Sequence, residues 1–113
     1  MDNDTQIIIK LLVDLEIAEN EAITYAALLK LDSTSIRKIA AETGINRGTT
    51  YEALKRLTET GLVSVKQNGK REQYTAESLE RVYDIIRDKR RDLLDIADTA
   101  KKIIPDLLAR KAS

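Results

Sequence analysis

Three observations in a chain of 113 residues predict a mostly α-helical fold that carries one small β-hairpin and closes on a long helix. Apolar residues recur at helical spacing through most of the chain. One stretch, Leu62 to Thr75, alternates instead and is interrupted by Asn68-Gly69, a strong two-residue hairpin signal. Beyond it Leu79, Ile86, Leu93, Ala100 and Leu107 fall seven apart, with Val82, Ile96 and Ile103 between them, the spacing of a coiled-coil seam.

Each element follows from its own residues. Thr5 to Leu15 places Ile8, Leu11, Leu12 and Leu15 on one helical face, and Glu19 to Leu31 does the same with Ala22, Ile23, Tyr25, Ala26 and Leu29. The cluster Asp32-Ser33-Thr34-Ser35 offers side-chain oxygens to the free amides of a third helix, Ile36 to Thr43, with Ser35 the preferred cap. Gly44 stops that helix, since it takes positive φ at no steric cost; Asn46 caps a fourth helix to about Thr60, and Gly61 ends it. The hairpin strands are read as Leu62 to Gln67 and Lys70 to Thr75, which pairs Gln67 with Lys70 and sets Lys66 opposite Arg71. The last helix is expected from Glu77 to about Ile104, with Pro105 kinking or restarting it because proline lacks an amide and collides with the preceding turn. Residues 1–76 are read as one domain and 77–113 as a coiled-coil-like C-terminal helix.

Composition excludes several classes of function. Without cysteine or histidine there are no disulfides, no thiolate or imidazole metal sites and no imidazole proton shuttle, which leaves only carboxylate or lysine chemistry. The acidic residues sit mainly on exposed helical faces at ion-pair spacing, and no glycine-rich phosphate cradle or metal-type carboxylate cluster is present. The sequence therefore reads as no enzyme, with no cofactor or metal. No apolar run approaches the roughly 20 residues of a membrane span, and no charged-then-apolar leader opens the chain, so a cytoplasmic location without a membrane partner is expected. Net charge is zero but unevenly spread: residues 1–32 hold two lysines against seven acids, and residues 33–74 hold eight cations against four. The middle of the chain is its basic part.

Three short helices, the third after a glycine-containing turn, followed by a hairpin, is the element order of a winged helix-turn-helix. Packing Ile36, Ile39 and Ala40 against Thr50, Ala53, Leu54 and Leu57 leaves the opposite face of the fourth helix outside. That face shows Gly48, Thr49, Glu52, Lys55 and Arg56, with Arg47 at its start, on a helix of the width a DNA major groove admits. Asn46, Arg47, Gly48, Thr49, Tyr51, Lys55 and Arg56 are the candidate recognition-helix residues; Ser35, Arg37, Lys66, Lys70 and Arg71 are the candidate DNA-backbone contacts. Gly48 costs a helix roughly 1 kcal/mol, and close approach of DNA is one reason to keep it; a tolerated surface glycine is the other. Opposed Lys66 and Arg71 destabilise a strand pair unless a phosphate lies along them or both splay into water.

The segments Glu19-Asn20-Glu21-Ala22, Tyr25-Ala26-Ala27-Leu28-Leu29, Ile39-Ala40, Gly44-Ile45-Asn46-Arg47, Thr50-Tyr51-Glu52-Ala53-Leu54-Lys55-Arg56-Leu57 and Gly61-Leu62-Val63 carry a family pattern. Over roughly residues 14–76 the chain resembles the N-terminal domain of the TrmB-type transcriptional regulators of archaea. The resemblance implies a helix-turn-helix DNA-binding domain, a recognition helix carrying Arg47 and Tyr51, and dimerisation through the helix after the wing. Glu16 and Asp32 stand where that pattern usually has glycines, and Asn46 where proline is common. Such regulators usually continue into a sugar-binding effector domain, whereas this sequence ends at Ser113, so a small-molecule effector is not carried over.

A homodimer is also expected from the last helix alone. At 1.5 Å per residue its roughly 28 residues extend about 42 Å, beyond the body of a small domain, and an uncovered seam would face water. Leu79, Val82, Ile86, Leu93, Ile96, Ala100 and Ile103 are the candidate interface, interrupted by Lys89. Folding back on the first helix is the competing arrangement. The expected function is thus a homodimeric, sequence-specific regulator on double-stranded DNA; the alternative, favoured by Glu52 and the zero net charge, is a winged-helix module for protein–protein contact in a transcription or chromatin-type assembly.

Overall fold

The structure, a computed structural model, describes residues 2–112. Five helices and a hairpin follow in the order α1 (Asn3–Asp14), α2 (Glu19–Lys30), α3 (Ile36–Thr43), α4 (Arg47–Glu59), β1 (Val63–Asn68), β2 (Arg71–Ala76) and α5 (Arg81–Ala112). The chain divides into two units, the first ending at Arg81 and the second beginning at Val82. This is the winged helix-turn-helix followed by a long C-terminal helix. Among the described residues no helix is long and apolar enough to cross a membrane.

In the first unit α2 is the hub, packing on α1, α3, α4 and β2. Its buried face, Ala22, Tyr25, Ala26 and Leu28, meets Leu12 of α1, Ile39 of α3 and Ala53, Leu54 and Leu57 of α4, all shielded from water. Burying a leucine or isoleucine is worth about 1.5–3 kcal/mol, so these contacts, rather than helix propensity, hold elements this short. Tyr25 is fully buried, and its hydroxyl donates to the Glu77 carbonyl at 2.8 Å, fifty-two residues along the chain. Two of the buried threonines bond back along their own helices: Thr24 Oγ1 donates to the Asn20 carbonyl at 2.7 Å, and Thr50 Oγ1 to that of Asn46 at 2.9 Å.

Helix ends are set by side-chain caps and left-handed exits. Asp2, Ser35 and Asn46 accept from the amides of Thr5, Lys38 and Thr49, as short polar side chains at this position do. Gly44 and Gly61 leave α3 and α4 at φ 74° and 83°. The exit of α1 has the same geometry without a glycine: Glu16 holds φ 67°, its amide donates to the Val13 carbonyl at 2.9 Å, and the Ile17 amide donates to that of Leu12 at 3.0 Å.

Three expectations are corrected. The turn is Gly69-Lys70 rather than Asn68-Gly69, so Asn68 faces Arg71, Gln67 faces Glu72 and Lys66 faces Gln73. Gly69, at φ 68°, is then the first central residue of the turn, and the opposed Lys66–Arg71 pair does not exist. Second, α5 starts at Arg81, not Glu77, because the Glu77 backbone is engaged elsewhere: its amide donates to the Leu62 carbonyl at 2.8 Å and its carbonyl accepts from Tyr25. Ser78 then opens the turn, its Oγ accepting from the Glu80 amide at 3.2 Å, and Leu79 lies ahead of the helix instead of on its seam. Third, α5 runs unbroken through Pro105, which removes one internal amide from a helix of 32 residues.

Two outcomes follow for stability. Glu16→Gly relieves a left-handed backbone that costs an L residue roughly 1–2 kcal/mol, and should raise the urea midpoint by the equivalent of about 1 kcal/mol. Burial first and the Glu77 charge second push the Tyr25 hydroxyl up to about 12, against 10 when unfolded. A raised pKa means the stability is fully present below pH 10 and is lost as pH climbs from 10 toward 12; urea titrations at pH 8 and pH 11 should show the loss, and Tyr25→Phe should reduce it while costing about 1–2 kcal/mol at pH 8.

Candidate nucleic-acid interface

The helix pair α3–α4 and the hairpin meet around one cleft of about 720 Å³. The reason is local. Ser35 caps α3, Asn46 caps α4, and both helices begin at this cleft, so their first amides lend it partial positive charge. The third wall is the wing, tied to the loop before α3 by an isolated bridge: the Thr34 amide donates to the Tyr74 carbonyl at 3.0 Å, and the Tyr74 amide to that of Thr34 at 2.7 Å. That bridge makes Thr34 a one-residue third strand and fixes the distance from hairpin to helix starts.

Seven expected residues line the cleft together: Ser35 and Arg37 from α3, Arg47, Gly48 and Tyr51 from α4, and Lys70 and Arg71 from the wing. Four cations thus arrive from three elements. Arg37, Arg47, Tyr51, Lys70 and Arg71 are all exposed. Arg47, Tyr51 and Lys55 are successive fourth residues, so Lys55 continues the same line of α4 beyond the cleft. Gly48 has open space: an added Cβ would meet only Asn46 Oδ1, at 3.6 Å, an ordinary contact, so nothing within the described chain requires glycine there.

Other expected residues stand apart. The Asn46 side chain is occupied as the α4 cap, accepting from the Thr49 amide at 2.8 Å, and Thr49 is half-buried. Arg56 turns to α2 and pairs with Glu21 at 3.7 Å. Lys66 lies on the other face of the hairpin from Val65 and Tyr74, because side chains alternate along a strand.

Ile36, Glu72 and Tyr74 also line the cleft and were not anticipated. Tyr74 is buried and donates to Glu72 Oε1 at 3.4 Å. Burial first, then the Glu72 charge, push its hydroxyl up to about 12, so it stays a neutral donor beside a carboxylate. The signal for both was the two-residue period: whichever way the apolar Tyr74 faces, Glu72 faces too.

Comparison with known proteins bears on this geometry. The model of the family described as "Sugar-specific transcriptional regulator TrmB" matches residues 11–87. No curated protein sequence matches the chain. Among solved structures, TrmBL2, an archaeal chromatin protein whose structure is described as showing a novel mode of DNA binding, superposes with a TM-score of 0.85 at 23% identity over 96% of this chain and 41% of its own. The chain thus spans less than half the length of that protein. A possible transcriptional regulator from Methanosarcina mazei Go1 gives a TM-score of 0.67 at 14% identity, over 80% of this chain and 82% of its own. A point mutant of MepR from S. aureus, solved bound to an oligodeoxyribonucleotide, gives 0.57 at 16% identity, over 93% and 87%. At these identities the structures speak for the winged-helix fold.

Proposed function

The chain belongs to the TrmB family of transcriptional regulators, and on that premise we propose that it reads duplex DNA sequence-specifically inside the cell as a homodimer. One observation carries the reading: Arg37, Arg47, Lys70 and Arg71, borne by three different elements, surround one cleft at the starts of two helices. Residues 1–76 form the DNA-binding domain in this reading and residues 77–113 the dimerisation segment.

The mechanism divides labour between base edges and phosphates. The start of α4 enters a major groove, with Arg47 as the leading base-edge reader, its fork matched to the O6 and N7 acceptors of guanine, and Tyr51 and Lys55 following along the same line. Thr49 and Asn46 hold the end of the helix, and Arg56, drawn to Glu21, contributes least. Gly48 lets the DNA backbone come close where a methyl group would stand between. Ser35 and Arg37 at the start of α3, with Lys70 and Arg71 of the wing, hold the flanking phosphates, which release their counterions on contact, and Lys66, outside the cleft, adds only long-range charge. Dimerisation uses Ile86, Leu93, Ile96, Ala100 and Ile103 of α5; Val82, expected with them, is instead buried within its own chain. A second reading, a protein–protein module, draws support from Glu72, which any duplex in the cleft must approach, and from Glu52, exposed on α4.

Titrations of labelled duplexes across a salt series separate the two. DNA binding should weaken with a log–log slope of about −0.9 per phosphate contacted; no measurable duplex binding at 50 mM salt, on the order of the lower limit of such series, overturns this proposal in favour of the protein module. Arg47→Ala should relax preference at one or two base pairs, at about 1–3 kcal/mol of discrimination each, while Lys70→Ala should weaken all duplexes alike and shrink the salt slope by about 1. Gly48→Ala should move two readouts in opposite directions, raising folding stability by up to about 1 kcal/mol and weakening duplex binding.

A further inference from the structure

The seam of α5 runs from Val82 to Leu107 in alternating steps of four and three, and it holds one charge, Lys89, and one small residue, Ala100. Ile86, Leu93, Ile96, Ile103 and Leu107 on it are 41–66% exposed, whereas Val82 at its start is 5% exposed and already buried within the chain. We infer that a second copy of this chain covers the seam in antiparallel orientation, with the two-fold axis level with the Leu94–Asp95 peptide bond; this rests on the homodimer reading above and adds its direction and register.

The layers decide the direction. In a parallel, in-register pair every seam residue meets itself, so Lys89 faces the partner's Lys89, two like charges in an otherwise apolar seam. The flanks fit no better, with Ile85 beside the partner's Arg90 and Ile104 beside the partner's Thr99. An antiparallel pair centred on the seam removes each conflict. Ile86 then meets the partner's Ile103 and Leu93 its Ile96, while Lys89 meets its Ala100. Ala100 is the smallest seam residue, and the space beside it takes the lysine stem while the ammonium reaches water. On the flank, Tyr83, at 73% the most exposed large apolar residue among those described, lies along the partner's Ile104, itself 50% exposed.

The register is equally constrained. Sliding one heptad either way sets Lys89 against Leu93 or Leu107 and strips the seam's ends of partners. The centred register covers the exposed layers from Ile86 to Ile103 and gives the lysine the one position that accommodates it.

Because the chain has no cysteine, Lys111→Cys accepts a single nitroxide on the whole chain, at an exposed position near the end of α5. Pulsed dipolar spectroscopy should give a label separation of about 50 Å, from the 1.5 Å rise over the residues between. A separation under about 20 Å overturns the direction and leaves the homodimer standing; an unmodulated trace with a monomeric mass overturns both. Ala100→Glu is an independent check by sedimentation equilibrium. If Lys89 faces position 100, the new glutamate finds a counterion and the dimer dissociation constant changes by less than about threefold. If two glutamates meet instead, it rises about tenfold or more, which sinks the antiparallel arrangement.

Discussion

The bond from the Tyr25 hydroxyl to the Glu77 carbonyl is the constraint on which the first unit depends. It reaches from the hub helix to the residue where the hairpin ends, and the same residue's amide is held by the Leu62 carbonyl. Glu77 is thereby fixed from both sides of its backbone. The return strand has one place to leave the domain, and the long helix has one place to start. A phenol suits this post because its ring fills the core while its single polar atom has one partner, so nothing polar is left unsatisfied; no buried side-chain nitrogen or oxygen among those described lacks a hydrogen bond.

The charged cleft follows from this arrangement. Two caps, Ser35 and Asn46, start two helices at one end of the unit, and the Thr34–Tyr74 bridge brings the wing against them. The four cations of the cleft are exposed, so their charges stay hydrated until a polyanion arrives. The carboxylate of Glu72 in the same cleft accepts from the Tyr74 hydroxyl. Its presence makes the charge of the cleft mixed rather than uniformly positive.

Most of the fold is legible in the sequence because its signals are local. The bounds of α3 follow from Ser35 and Gly44, and the buried stripe of α4 from Thr50, Ala53, Leu54 and Leu57; each depends on neighbours within a turn or two. The features that escape such reading depend on distant partners. Nothing near Glu77 announces that Tyr25 and Leu62 occupy its backbone, so four residues with acceptable helical pattern stay out of α5. The hairpin turn sits one residue later, which shifts the cross-strand pairing by two, because Asn68-Gly69 and Gly69-Lys70 both supply a glycine to the turn. In the cleft, cations are legible from their exposure on a patterned helix; Arg56 is not, because its partner, Glu21, lies on another element. Glu16 reads in the sequence only as a departure from a glycine pattern, yet its positive φ shows that the backbone keeps that shape without the glycine.

The wing is fastened at one end only. Its base shares two hydrogen bonds with Thr34, whereas from Lys66 to Arg71 every residue is exposed. A finger with a fixed knuckle and an unsupported tip can follow a double helix whose width varies along its length, without disturbing the helices beside it. Such a tip can settle against a surface of uneven contour while its root keeps its place in the fold.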